Sequence, residues 1–89
     1  MILRYDVDFL KTLKKTNVRI RKHFKQRIAL FISNHNDPQL NNHALRDEWV
    51  GYRSIDITSH WRAIYTEKKE GDTTIAYFVA VGTHSQLYK

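Results

Sequence analysis

The chain has 89 residues, no cysteine, and 15 Lys and Arg against 9 Asp and Glu, for a formal net charge of +6. This length suits a single domain over residues 1–89, with neither a disulfide framework nor a thiolate metal site; no apolar run approaches the ~20 residues of a membrane span and no secretory signal pattern is present, so a cytoplasmic protein is expected. The positive excess suits a polyanion or an acidic protein partner, but equally plain solubility, and charge alone does not choose between them.

Ile2 to Tyr5 reads as a short first strand. Asp6 or Asp8 is a plausible N-cap for a helix through about Thr16, with Phe9, Leu10 and Leu13 on one side and Lys11, Lys14 and Lys15 elsewhere. Thr16 or Asn17 caps a second helix from about Val18 to Ser33, in which Val18, Ile20, Phe24, Ile28, Phe31 and Ile32 recur at helical spacing. The link between the two is so short that they must form an antiparallel hairpin. Pro38 then disfavours helical geometry at Asp37, and residues 34–48 read as a polar loop anchored by Leu40 and Leu45.

Past Trp49 the apolar pattern changes to strands: Tyr52 to Ile57, Trp61 to Glu67 and Thr73 to Val81, joined by a tight turn at Ser59 and a longer one over Lys68 to Asp72. Short links make these three antiparallel neighbours. The expected fold is α+β, in the order β-α-α-β-β-β, with two N-terminal helices on one face of a small antiparallel sheet and the other face left free.

Topology gathers chemistry at one end of this meander. The end of the first meander strand, at Asp56, lies beside the start of the second, at His60, and the third strand returns His84 to the same place. Ile55 and Ile57 should face the helices, which turns Asp56 to the open face. If Trp61, Ala63 and Tyr65 also face the helices, Arg62 joins Asp56 there.

An open face with His, Asp and Arg on a basic protein suits RNA cleavage by the RNA's own 2′-hydroxyl. That reaction needs a base, an acid and cations for the phosphorane, which His and Arg supply. Trp61 and Tyr88 are candidate platforms for an unstacked base. Competing readings are simpler: His23 and His35 read as inert surface residues, Asp56 as a charge that protects a strand edge, and Trp49 and Tyr52 as packing residues. No H-x-x-x-H or H-E-x-x-H spacing occurs, and neither a metal nor any cofactor is expected.

The segment H-A-L-R-D-E-W-V-G-Y-R-S-I-D-I-T-S-H-W-R-A-I-Y, from His43 to Tyr65, and the later V-G-T-H-S-Q-L-Y resemble toxins of the RelE/ParE superfamily. The likeness is closest to the YafQ-like and RelE/StbE-like branch of type II toxin–antitoxin modules. It implies a small mRNA interferase that cuts mRNA on the ribosome without metal and is neutralised by a co-encoded, often acidic, antitoxin. His43, Asp56, His60, Trp61, His84 and Tyr88 match positions of the YafQ-like pattern. In one respect the sequence departs from it: the pattern has His and then Asp at the two central positions, where this chain has Asp56 and then His60.

Within that resemblance His84 is expected to be the general acid. His60 is the first choice for base, oriented by Asp56, and His43 is the competing base. Arg62 and Arg53 are assigned to the phosphorane, and Tyr88 and Trp61 to RNA binding. The alternative is a ParE-like toxin that inhibits a gyrase-type target by binding, although three clustered His argue against a purely binding surface.

Overall fold

Asp6 caps α1 (Val7–Lys15): its Oδ2 accepts from the Asp8 amide at 3.0 Å. Asn17 does the same for α2 (Val18–Ser33), its Oδ1 accepting from Ile20 N at 3.0 Å. Arg21 Nη1 donates to the carbonyls of Lys14 and Thr16, both at 2.8 Å, and so supplies partners at the C-terminal end of α1. Both helices therefore sit close to their expected bounds. The computed structural model describes residues 1–88; Lys89, the last residue of the single expected domain, lies outside the described residues.

The strands are β1 (Ile2–Tyr5), β2 (His43–Ala44), β3 (Arg53–Asp56), β4 (Trp61–Glu70) and β5 (Thr73–Thr83), followed by a helical turn, α3 (His84–Leu87). They form one sheet in the order β1-β5-β4-β3-β2. The expected antiparallel meander is β3–β4–β5; β1 joins it in parallel register on β5, Ile2 opposite Ile75, and β2 adds a two-residue edge on β3. The β4–β5 turn is tighter than expected, because only Gly71 and Asp72 separate the paired residues Glu70 and Thr73. Gly71 takes φ +60° at the first loop position, as a type II′ hairpin requires.

The helices cover one sheet face. Phe9, Ile20, Phe24 and Phe31 meet Ile55, Ile57, Ala63, Tyr65, Phe78 and Val81 in a single buried cluster. A bulge makes this possible, since Ile64 pairs with Ala80 but Tyr65 pairs with Phe78, leaving Val79 as an extra residue. Without it, Phe78 and Val81, three residues apart, would point to opposite faces.

Three apolar residues expected on buried helix faces are exposed instead: Leu10 is 46%, Val18 56% and Ile32 67% accessible. In α2 the inward row is Ile20, Phe24, Ile28 and Phe31. Val18 lies about 200° round the helix from Ile20, and Ile32 about 100° past Phe31, so neither stays in the row.

The opposite sheet face is not free along its whole length, as had been expected. Ile64 points to that side yet is 0% accessible, and beside it α3 lies over β5 on this face, with a 3-10 turn at Asp47–Trp49 bonded to α3 through Trp49 Nε1 and Leu87 O. A Cβ placed on Gly82 would stand 3.0 Å from Gln86 Oε1 and 3.4 Å from Leu87, which shows how closely α3 lies on β5.

The loop before β2 is pinned from inside. Asn42 Nδ2 donates to Tyr65 OH and to the His35 carbonyl, each at 2.8 Å, and Arg53 Nε donates to Asn42 Oδ1 at 2.9 Å. Burial raises the pKa of the Tyr65 phenol above its ordinary value, against the smaller opposing effects of Asn42 and Arg53, so it stays neutral and serves as a partner. Asn42→Ala should cost about 1–3 kcal/mol, because it strips partners from this partly buried network. The check is urea unfolding, with a lower midpoint at an unchanged slope.

Candidate active site

Pairing across the sheet fixes which side chains share the uncovered part of the open face. His43 stands opposite Ser54, Ser54 opposite Ile64, and Asp56 opposite Arg62, which in turn stands opposite Gly82. Directly paired residues project to the same side, so His43, Asp56 and Arg62 all lie away from the helices. At the end of β5, Thr83 caps α3 through a reciprocal capping box with Gln86, and His84 N donates to His60 O at 3.0 Å. The last histidine thus comes to rest beside the β3–β4 turn.

Asn41, His43, Leu45, Arg62, His84 and Tyr88 line a cleft of about 340 Å³, within the ~300–1,000 Å³ usual for ligand pockets. A larger depression of about 560 Å³ lies at the other end of the molecule, beside Met1, Phe31 and Asp72. It holds a single imidazole, His35, and no cationic side chain. The smaller cleft is therefore the better candidate for polyanion chemistry.

His43 Nδ1 lies 2.7 Å from the Asn41 carbonyl. A carbonyl only accepts, so Nδ1 carries a proton, and in the neutral ring Nε2 then has the free lone pair. Asn41 reaches this position in the left-handed region, at φ 47°, where Asn is among the better-tolerated residues. Arg62 is held from several sides: Nη1 donates to the Thr58 carbonyl at 2.9 Å and the Trp61 carbonyl at 3.2 Å. Its Nε is 3.0 Å from Asp56 Oδ1. That is ion-pair distance, but the N–H is not aimed at the oxygen, and Asp56 Oδ1 counts as buried without a hydrogen bond. The contact is best described as charge pairing that leaves the carboxylate under-satisfied.

Tyr88 packs on His84 with ring centroids 4.6 Å apart at 56°. Its hydroxyl is buried with no partner among the described residues, so the tip of the phenol points inward and the ring is the part offered to the cleft. Among the described residues, the buried side-chain polar atoms without a hydrogen bond are Ser54 Oγ, Asp56 Oδ1 and Tyr88 OH. All three belong to this side of the sheet. Unpartnered buried polar atoms on the face that carries the cleft call for an explanation other than stability.

The structure brings His43, Arg62, His84 and Tyr88 into one cleft, with Asp56 against Arg62. It does not bring in the other three candidates. His60 is exposed at the turn, where its backbone accepts from His84 N and donates to Thr58 Oγ1, and its ring has no hydrogen-bond partner among the described residues. Trp61 packs against the helix-side core. Arg53 stands opposite Tyr65 on that same side and is occupied by Asn42. The roles of Asn41 and Leu45 escaped sequence reasoning; the Asn41–Asn42 pair after Leu40 was the available turn signal.

Two N-terminal helices on one face of this mixed sheet, with the cleft at the meander end of the other, make up the RelE-like α+β fold, and the chain is a toxin of the RelE/ParE superfamily. Residues 3–89 match the family described as bacterial toxin of type II toxin–antitoxin system, YafQ, and the chain belongs to that family. Its sequence matches no curated protein. The crystal structure of YafQ from E. coli strain BL21(DE3) is similar to it at 24% identity, with a TM-score of 0.78 over 98% of this chain and 97% of that one. The E. coli DinJ–YafQ toxin–antitoxin complex matches at 26% identity, TM-score 0.73, over 98% and 96%. The YoeB/ParE toxin from Agrobacterium tumefaciens matches at 17% identity, TM-score 0.74, over 94% and 99%.

Proposed function

We propose that this toxin is a metal-independent endoribonuclease, an mRNA interferase that acts on ribosome-bound mRNA. The observation that carries the reading is that two imidazoles, His43 and His84, line one cleft with the Arg62 guanidinium. In the proposed reaction His43 Nε2 removes the proton from a ribose 2′-hydroxyl, and that oxygen attacks the adjacent phosphorus. The bond from phosphorus to the 5′ oxygen breaks, and protonated His84 gives its proton to the departing oxygen. The products are a 2′,3′-cyclic phosphate and a 5′-hydroxyl, and the net proton count is unchanged.

Arg62 neutralises the charge that builds on the phosphorane oxygens; its Nη2 protons have no partner among the described residues. Asp56 keeps that guanidinium in place, and Tyr88 offers a face on which a base can stack. His43 is placed ahead of His60 as base, because its ring lines the cleft with a free nitrogen. Two imidazoles of this kind have no purpose on a surface that only binds a gyrase-type target.

The net charge of +6 suits both RNA and an acidic protein. With the solved DinJ–YafQ complex, it supports a co-encoded antitoxin as the physiological partner. The functional test is cleavage of an mRNA on translating ribosomes, with the new ends mapped. A single 2′-deoxy nucleotide at the mapped site should block cleavage there and leave other sites cut. Cleavage that persists at the deoxy position, or ends that lack the cyclic phosphate, would overturn the mechanism.

A further inference from the structure

The turn that carries His84 and Tyr88 packs on β5 through Gln86 and Leu87, but hydrogen bonds hold its two ends unequally. A single turn of four residues is too short to be stable alone. Its N-terminal end is well secured by the Thr83–Gln86 capping box and by His84 N on the His60 carbonyl. At its other end, the bond from Tyr88 N to His84 O is local. Among the described residues, a distant one supplies a further bond: Trp49 Nε1 donates to Leu87 O at 3.1 Å, across 38 positions of sequence.

Trp49 is itself fixed for this task. It ends the 3-10 turn over Asp47–Trp49, which begins with Asp47 at φ 56° and is followed by Gly51 at φ 90°. These two left-handed residues fold the segment back over the open face. The indole then meets the Tyr52 ring edge-on, with centroids 5.4 Å apart at 82°. The ring is half-buried, and its only polar atom is aimed at the last carbonyl of α3. A residue needed only for packing has no use for that direction, since phenylalanine would fill the space without it.

We propose that Trp49 is a positioning residue for the cleft: its indole N–H latches the C-terminal turn and so keeps His84 and Tyr88 facing His43 and Arg62. The inference rests on the nuclease reading for its catalytic consequence, but the latch is a separate physical claim. Trp49→Phe keeps most of the ring and removes the donor. It should lower kcat roughly fivefold to tenfold, the equivalent of one ordinary hydrogen bond, with KM within about twofold because Arg62 is untouched. Amide hydrogen exchange at Tyr88 should accelerate by a similar factor, whereas Ala63 and Val81 in the sheet should keep their protection.

Wild-type exchange at Tyr88 in Trp49→Phe overturns the latch. So does equal acceleration at Ala63 and Val81, which would reduce Trp49 to a general stabiliser. A kcat that stays at the wild-type value while Tyr88 exchanges faster overturns the positioning role. If the wild-type protein cuts no RNA, the nuclease reading falls, and the exchange measurement alone then decides whether the latch exists.

Discussion

His84→Ala should lower RNA cleavage by roughly 10²–10⁴-fold, the usual contribution of a positioned general acid. The imidazole is exposed on the first residue of α3 and accepts no structural duty beyond its contact with Tyr88. Its backbone amide, which holds the turn to the His60 carbonyl, is present in alanine too. Thermal stability should therefore change by no more than about 0.5 kcal/mol, as for most surface substitutions. Growth arrest on induction should vanish with the cleavage. The variant should still bind RNA, because Arg62 and the net charge remain. A folded His84→Ala protein that cuts RNA at the wild-type rate would place the acid elsewhere and leave the cleft without its proton donor.

Much of the frame that carries this histidine is readable from local chemistry. Asn17 and Pro38 bracket α2, and the spacing of Ile20, Phe24 and Phe31 gives its inner face. The alternation of Ile55 and Ile57 with Asp56 places the carboxylate opposite the helices, and Arg62 meets it there. These features depend on residues close in sequence, where periodicity and caps act directly.

What escaped depends on distant partners or on single irregular residues. Nothing within Ile2–Tyr5 announces that it will pair in parallel with β5, more than seventy positions away. The bulge at Val79 breaks the two-residue period, so strict alternation misplaces part of β5. Four residues of α3 cannot show a helical period, although Thr83 and Gln86 carry the spacing of a capping box. Ile64 was the clue that the open face has a cover, being apolar at a position whose neighbours in register, Ser54 and Ala80, also point outward. His60 misled for another reason. Topology locates its backbone beside His84, but at a turn the carbonyl points inward and the ring projects to solvent. Proximity of chain segments does not specify side-chain direction.

That difference separates the two candidate bases by experiment. His43→Ala should lower cleavage by roughly 10²–10⁴-fold, whereas His60→Ala should stay within about threefold of wild type. The asymmetry follows from the Asn41 carbonyl, which holds the proton on His43 Nδ1 and leaves Nε2 able to accept. The His60 ring has no comparable partner among the described residues, and its backbone contacts, the carbonyl that accepts from His84 N and the amide that donates to Thr58 Oγ1, survive substitution by alanine. Both variants should unfold near the wild-type temperature, since both side chains are exposed. A dead His60→Ala beside an active His43→Ala would reverse the assignment. It would require the turn at Thr58–Trp61 to rotate the His60 ring into the cleft when RNA binds, and Arg62, tied to the Thr58 and Trp61 carbonyls, would have to move with it.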